Sequence, residues 1–210
     1  MPTPSHAPGR RRRRWIFRGL LVFGIVALGL IFVHRPLLSG FARLLRVDDA
    51  RPSDALVVLS DASPTIRAAC LYRDGMAPRV LLVAGAPVPF PDLNTTEQCR
   101  RSLIRNGVPA VAIRTIPSEG VPGELADLAE RVRGELGARP IRRITVVAGS
   151  VSSARVARVF RKAMRGTGVD VRVAASGSDL YDESNWYTRE GGRGCYLSEL
   201  IKTLYYRLAY

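Results

Sequence analysis

Short apolar runs alternate with amphipathic segments along most of the chain, from Asp54 to the carboxyl terminus. The five runs are rich in valine, leucine, isoleucine and alanine, and they read DALVVLS, RVLLVAG, AVAIRTIP, ITVVAGS and VDVRVAAS. The segments between them, and the terminal CYLSELIKTLYYRLAY, carry apolar residues at helical spacing. Because uninterrupted apolar strands separated by helices are typical of a parallel sheet covered on both faces, we predict an α/β, Rossmann-like domain of about five strands with helices on both faces.

Glycines mark the ends of the predicted helices. Gly75, Gly107 and Gly137 follow amphipathic segments, at points where a left-handed cap would end a helix. No two predicted strands are joined by a hairpin signal, so all five are expected to run parallel.

An apolar segment at residues 15–34 precedes this domain, with Arg18 as its only early charge. Twenty helical residues rise roughly 30 Å, about the thickness of a hydrocarbon core. Five arginines at positions 10–14 predict a cytoplasmic amino terminus, so we expect a single-pass anchor in a bacterial inner (plasma) membrane. A cleaved signal peptide is the alternative, because the uninterrupted apolar part at 19–33 is short. No small-x-small cleavage site follows it, which favours the anchor.

The predicted organisation is a basic cytoplasmic tail (1–14), a transmembrane anchor (15–34), a juxtamembrane linker (35–53) and an α/β domain (54–210). The linker has a helical apolar stripe, which consists of Leu37, Leu38, Phe41, Leu44 and Leu45. Two interpretations remain open, a helix lying on the lipid surface and a stalk packed against the domain.

The charge of the chain is concentrated before the domain. Of 32 basic residues nine precede Asp48, whereas all 18 acidic residues lie at Asp48 or later, so 23 basic and 18 acidic residues remain. This mild excess, without a recognition motif, argues against nucleic acid as a partner.

The domain contains no histidine, since the chain's two histidines are His6 and His34. This excludes hydrolases with a histidine base and histidine-ligated metal sites. No metal site is predicted, and the sequence does not identify a cofactor. Cys70, Cys99 and Cys195 lack the spacing of a metal or redox motif, and Cys70 and Cys99 are expected either to pair or to remain free thiols.

The turn GSVSS at residues 149–153 is the strongest candidate site, because ligands of such sheets bind at the carboxyl ends of the strands. Arg155 follows in the first helical turn, with its head expected to point outward. Free backbone N–H groups of this turn, which begins at Gly149, would hold a phosphate-like anion together with the guanidinium and the hydroxyls of Ser150, Ser152 and Ser153. Arg155→Ala should then weaken binding and leave folding nearly unchanged. Alternatively, Ser152 merely caps the helix and Arg155 is solvated.

Four further charged residues fall near the same predicted edge: Asp61, Arg67, Glu97 and Glu124. Each also has a structural interpretation. The three carboxylates would be favoured in the first turn of a helix, and Arg67 would be an ordinary residue of the first helix.

Taken in order, several motifs resemble the ElyC/SanA/YdcF family of bacterial envelope proteins. They are DALVVLSDASPTIRAACLYRDGMAPRVLLVAG, TEQCRRSLIRNGVP, PGELADLAERV, ITVVAGSVSSARVARVFRK and WYTREGGRGCYLSELIKTLYYRL. The resemblance implies ligand-binding roles for Arg67, Gly85, Glu97, Glu124 and Arg155. The chain also departs from the family pattern, since Ser152 stands in place of the family's histidine and SDAS in place of its glycine-rich first turn.

The resemblance implies a periplasmic domain that supports cell-wall (peptidoglycan) or surface-polysaccharide biogenesis. The expected partners are the inner membrane, a phosphorylated or lipid-linked envelope precursor, and an envelope protein complex. Two alternatives stay open, an adenosylmethionine- or nucleotide-binding enzyme of the same fold and a degenerate, non-catalytic interaction domain. The missing glycine turn argues against the enzyme.

Overall fold

A computed structural model describes residues 9–59, 62–84, 95–117, 125–137, 140–178 and 180–209, without the side chains at 9–14, 16–17, 25–33, 62–63 and 208–209. In this part of the chain the strands are β1 (Ala55–Leu59), β2 (Val80–Val83), β3 (Ile113–Ile116), β4 (Arg143–Gly149) and β5 (Asp170–Ser176). The α-helices are α1 (Gly9–Leu44), α2 (Ala62–Arg73), α3 (Thr95–Arg105), α4 (Leu125–Gly137), α5 (Ser153–Ala163) and α6 (Glu190–Ala209). Short 3₁₀ turns occupy Ala110–Ala112, Ser150–Ser152 and Trp186–Thr188.

The five strands form one sheet in the order β3-β2-β1-β4-β5, and every pairing is parallel. Val57 on the central strand β1 lies opposite Leu81 on one side and Val146 on the other. The predicted α/β class and parallel sheet are therefore confirmed.

Helices cover both faces of the sheet. Successive strand residues point to opposite faces, so Val57, Leu81 and Val146 pack with apolar side chains of α4 and α5. On the other face Leu56 and Leu82 pack with residues of α2 and α3. These strand side chains are almost completely excluded from solvent, which explains why β1 and β2 contain only apolar residues.

Two of the three predicted glycine caps have the expected conformation. Gly75 and Gly107 have positive φ angles of 72° and 95°, and the next residue in each case donates its N–H to a carbonyl in the last helical turn. Gly137 instead remains the last helical residue of α4 and has no positive φ, so its predicted cap is wrong.

The segment between α1 and β1 covers the edge strand β5. The Asp49 N–H donates to the Val173 carbonyl at 2.9 Å, and the Asp49 carboxylate accepts the Val173 N–H at 2.8 Å. Asp48 accepts the Ala175 N–H in the same way, at 3.2 Å. Because these carboxylates use strand N–H groups that would otherwise be free to pair with another chain, the segment protects this edge.

Asp54 holds the amino ends of β1 and β4 together. Its Oδ2 atom accepts the main-chain N–H groups of Arg142 at 2.7 Å and Arg143 at 2.9 Å. These bonds, first that of Arg143 and then that of Arg142, lower the pKa of Asp54 from its ordinary 3.8.

A lowered carboxyl pKa contributes stability above the unfolded-state pKa, and this stability is lost as the pH falls through the folded-state pKa. We therefore expect the free energy of unfolding to decline below a pH of 3.8, and to decline less in Asp54→Asn, which keeps an acceptor oxygen without the charge. Denaturant titrations of wild type and Asp54→Asn at several pH values between about 2 and 7 measure the free energy of unfolding of each. Parallel curves would show that Asp54 contributes nothing to acid sensitivity.

The end of α1 packs against the domain. Leu38, Phe41, Ala42 and Leu45 contact a cluster that contains Trp186 and Tyr196, and the Trp186 Nε1–H donates to the Leu38 carbonyl at 3.2 Å. This confirms the packed-stalk interpretation of the linker. Two members of the predicted stripe do not take part in this packing, since Leu37 and Leu44 are 63% and 78% exposed.

The helical main chain of α1 includes the segment predicted as a membrane anchor. Among the helices that the structure describes, none combines the length and the apolar character needed to cross a membrane. The side chains at 25–33, in the second half of the predicted anchor, lie outside the described residues, and the anchor stays a prediction.

All three cysteines carry free thiols. Cys70 and Cys99 lie on the neighbouring helices α2 and α3, as predicted, but they do not pair.

Candidate functional site

The strand order reverses between β1 and β4, and in open α/β sheets ligands bind beside such a point at the carboxyl ends of the strands. The turns after β4 and β5 are described there. Those after the other three strands fall at 60–61, 85–94 and 118–124, outside the described residues, so the predicted site residues Asp61, Gly85 and Glu124 cannot be located.

The turn after β4 uses its own hydroxyl protons. Ser152 lies at the N-cap position of α5, but its Oγ–H donates to the Gly149 carbonyl at 3.2 Å and makes no side-chain cap. The Ser150 Oγ–H donates to the Glu183 carboxylate at 3.2 Å. Both serines line a cleft at the carboxyl ends of β4 and β5, but in this arrangement neither offers a proton to an anion.

The end of α1 occupies the start of α5. Ser153 is fully buried, its hydroxyl accepts the Val47 N–H at 2.8 Å and donates to the Ser150 carbonyl at 2.7 Å. The Ala154 N–H donates to the Leu45 carbonyl at 3.0 Å. Ser153 therefore does not reach the cleft, and the carbonyl of Leu45, just after α1, accepts an N–H at the start of α5 where the sequence suggested an anion.

Arg155 is turned against α6 and not toward solvent, so its predicted outward orientation is wrong. Its Nε donates to Glu199 Oε1 at 2.5 Å and its Nη2 to Oε2 at 3.2 Å, a bidentate ion pair. The two side chains are 14% and 7% exposed. The guanidinium carbon also lies 5.5 Å from the ring centre of Tyr206. A guanidinium has more N–H donors than one carboxylate accepts, so Arg155 keeps donors for a ligand.

A cleft of about 420 Å³ opens at the carboxyl ends of β4 and β5. One wall is the serine turn with Arg155, and the other is formed by the turn after β5 and by α6. Its lining comprises Gly149, Ser150, Val151, Ser152, Arg155, Ser176, Gly177, Ser178, Tyr181, Cys195, Glu199 and Lys202.

The second wall carries the donors that the serine turn lacks. Ser178 Oγ accepts the Leu180 N–H at 3.2 Å, so its own proton remains available. Lys202 makes no ion pair or hydrogen bond with another described residue. Since Glu199 matches the charge of Arg155, the ammonium of Lys202 leaves the charged lining with a net positive charge.

Tyr181 and Cys195 lie together at the α6 side of the cleft. Their hydrogen bond, with burial as the second cause, raises the pKa of Tyr181 to about 12. Tyr181 therefore stays protonated at neutral pH and cannot act as a base there.

Glu183 connects the cleft to α1. Its carboxylate accepts from Ser150 at 3.2 Å and pairs with Arg46 at 3.3 Å, just beyond the end of α1. Burial first, and then the negative charge of Glu183, raise the pKa of the neighbouring Tyr196 to about 12.

Two predicted residues lie outside this cleft. Glu97 pairs with Arg101 at 3.0 Å on the surface of α3, as a first-turn carboxylate often does. Arg67 on α2 is partly buried, and its buried Nε meets no acceptor in the described part of the chain. The lining of the cleft thus includes four predicted residues, Gly149, Ser150, Ser152 and Arg155. Ser153, Arg67 and Glu97 are not part of it.

Sequence reasoning missed the contribution of α6. Cys195, Glu199 and Lys202 are spaced at i, i+4 and i+7, which places three polar side chains on one helical face. That spacing was the available signal, but nothing in it indicates that this face would meet Arg155.

No family model matches the chain, and no curated protein matches it. The resemblance to the ElyC/SanA/YdcF family therefore rests on the sequence motifs alone.

Proposed function

We propose that the chain is a membrane-anchored envelope protein whose periplasmic domain binds a phosphorylated, lipid-linked intermediate of cell-wall or surface-polysaccharide biogenesis. The observation that carries this proposal is the cleft itself. Lys202, which has no partner among the described residues, the free donor of Ser178 and the remaining donors of Arg155 line one space. Lys202 and Ser178 have no acidic partner among the described residues, and a cationic and a hydroxyl donor of this kind suit a phosphate group.

The position of the cleft supports a ligand held in a bilayer. The serine turn contacts Leu45 and Val47 at the end of α1, and Leu45 lies eleven residues after His34, roughly 17 Å along a helix. If residues 15–34 span the membrane, the phosphate of a lipid-linked molecule would be presented near this end of the domain.

Exposed apolar side chains support the anchor. Trp15 and the run Leu20, Leu21, Val22 and Phe23 are between 59% and 72% exposed. A contiguous apolar surface of this kind is unfavourable in water and favourable in lipid.

The proposal is for binding without catalysis. The domain has no histidine, and Tyr181, the titratable hydroxyl in the cleft, has its pKa raised to about 12. The described cleft therefore has no imidazole that could act as an acid or a base near neutral pH.

A second candidate is an interaction domain, because α6 exposes Leu197, Ile201, Leu204 and Tyr205 by between 48% and 69%. These residues follow one another at helical spacing on the outer side of the domain. Such a domain would not be stabilised by a phosphorylated lipid, so thermal unfolding with and without farnesyl diphosphate separates the two candidates.

We expect farnesyl diphosphate to stabilise the full chain in detergent against thermal unfolding. At one hundred times Kd the gain is about 2.7 kcal/mol. Lys202→Gln should weaken binding about tenfold and reduce the gain at the same concentration to about 1.4 kcal/mol.

Arg142→Gln is the matched control, because Arg142 is an exposed cation at the opposite edge of the sheet whose side chain has no partner among the described residues. Equal losses in both variants would mean that the lipid responds only to total charge. Absence of any stabilisation would reject the binding function and favour the interaction domain.

A further inference from the structure

A second pocket, of about 360 Å³, lies between α4, α5 and α6. It shares no lining residue with the cleft. Val159, Ala163 and Tyr206 form an apolar part of its lining, and Arg158, Arg165 and Arg207 provide cations. A concave, partly apolar space of this size with a few charged groups is typical of small-molecule sites.

The arginines of this pocket differ from their neighbours in having no partner within the part of the chain that the structure describes. Arg161 on the same helix pairs with Asp49 at 2.8 Å, and Arg155 pairs with Glu199. In contrast, the side chains of Arg158, Arg165 and Arg207 meet no acceptor among the described residues.

The acid in the lining does not balance these charges. Glu130 is the one carboxylate among the described residues that line the pocket. Its Oε2 atom lies 3.4 Å from Nη1 of Arg133, a residue that does not line the pocket. The three arginines therefore leave the described lining of the pocket with a net positive charge.

Helix dipoles account for only some of these positions. Arg165 and Arg207 lie at the carboxyl ends of α5 and α6, where a cation is favoured. Arg158 lies in the middle of α5, where the dipole offers no such advantage. Its repulsion from the other cations is offset if the pocket receives an anion.

We propose that this pocket binds a small organic diphosphate, with the phosphoryl groups on Arg158, Arg165 and Arg207 and an apolar ring on Val159, Ala163 and Tyr206. Guanidinium groups suit phosphate oxygens because they donate parallel hydrogen bonds. The apolar lining distinguishes such a ligand from an inorganic ion. This site is independent of the phosphate site proposed for the cleft.

Isothermal titration of the full chain in detergent with ADP, at low salt, tests the proposal. Wild type should bind ADP, should bind inorganic pyrophosphate more weakly because the ring contacts are missing, and should not bind adenosine. Arg158→Gln and Arg165→Gln should each weaken ADP binding about tenfold, the effect expected for loss of one charge-assisted contact. Both side chains are exposed, so folding should be retained, which circular dichroism checks.

Arg142→Gln is again the matched control and should bind ADP like wild type. The proposal is overturned if Arg142→Gln weakens binding as much as Arg158→Gln, because the effect is then one of total charge. It is also overturned if Lys202→Gln weakens ADP binding and Arg158→Gln does not, since the ligand then lies in the cleft. Undetectable ADP binding at millimolar concentration, equal binding of adenosine, or pyrophosphate as tight as ADP would each reject it.

Discussion

Arg155→Ala should destabilise the domain by about 3–5 kcal/mol, a magnitude typical of breaking a buried ion pair from one side. The Glu199 side chain is only 7% exposed, and it would lose both hydrogen bonds while keeping its charge in a desolvated position. The contact with the Tyr206 ring would be lost as well. This outcome differs from the one predicted from sequence, which was a loss of binding with folding nearly unchanged.

A double-mutant cycle isolates the pair. Arg155→Ala combined with Glu199→Gln should recover part of the loss, because the second change removes the unpaired charge. Arg133→Ala is the control, since its pair with Glu130 joins side chains 47% and 56% exposed and such pairs are worth about 0–1 kcal/mol. If Arg155→Ala costs no more than Arg133→Ala in denaturant titrations, the Arg155–Glu199 pair is not structural.

Trp186→Ala should also cost about 3–5 kcal/mol, as large-to-small changes of buried aromatic residues do. Trp186 is 4% exposed and stacks on Tyr196 with ring centres 4.9 Å apart. Its ring joins α1 to α6, so the change should loosen the end of α1 together with the serine turn that this end contacts.

Two other variants test which part of Trp186 matters. Trp186→Phe keeps a ring but loses the hydrogen bond to the Leu38 carbonyl, which should cost about 1 kcal/mol beyond the change in packing. Trp15→Ala is the control, because Trp15 is 71% exposed and should contribute little to the unfolding free energy of the domain. Similar losses of unfolding free energy at both tryptophans would contradict a specific structural role for Trp186 between α1 and α6.

The fold was predictable because burial on both faces leaves a strong local pattern. Runs such as ALVVL in β1 and VLLV in β2 are too uniformly apolar for a half-exposed sheet, and Gly75 and Gly107 end helices by a conformation that favours glycine. The order of the strands was not predictable, since the pattern of one strand does not identify its neighbours.

The site was predictable only where it is local. The serine turn after β4 lies at the expected edge, because the strand and helix on either side of it fix its place. The partners of its residues are distant in sequence, however. Arg155 meets Glu199 44 positions away, and Ser153 meets Val47 106 positions away. No spacing rule connects such positions, so the pairing of Arg155 and the burial of Ser153 follow from packing alone.

The central claim, that the cleft holds a lipid-linked phosphate, is tested most directly by photocrosslinking. A farnesyl diphosphate analogue with a photoreactive group would be irradiated with the full chain in lipid nanodiscs, and the modified peptides identified by mass spectrometry. We predict that the crosslinks map to the walls of the cleft, within 149–155, 176–181 and 195–202, and that unlabelled farnesyl diphosphate suppresses them. Crosslinks that map elsewhere in the domain, or that persist in the presence of the competitor, would contradict the claim.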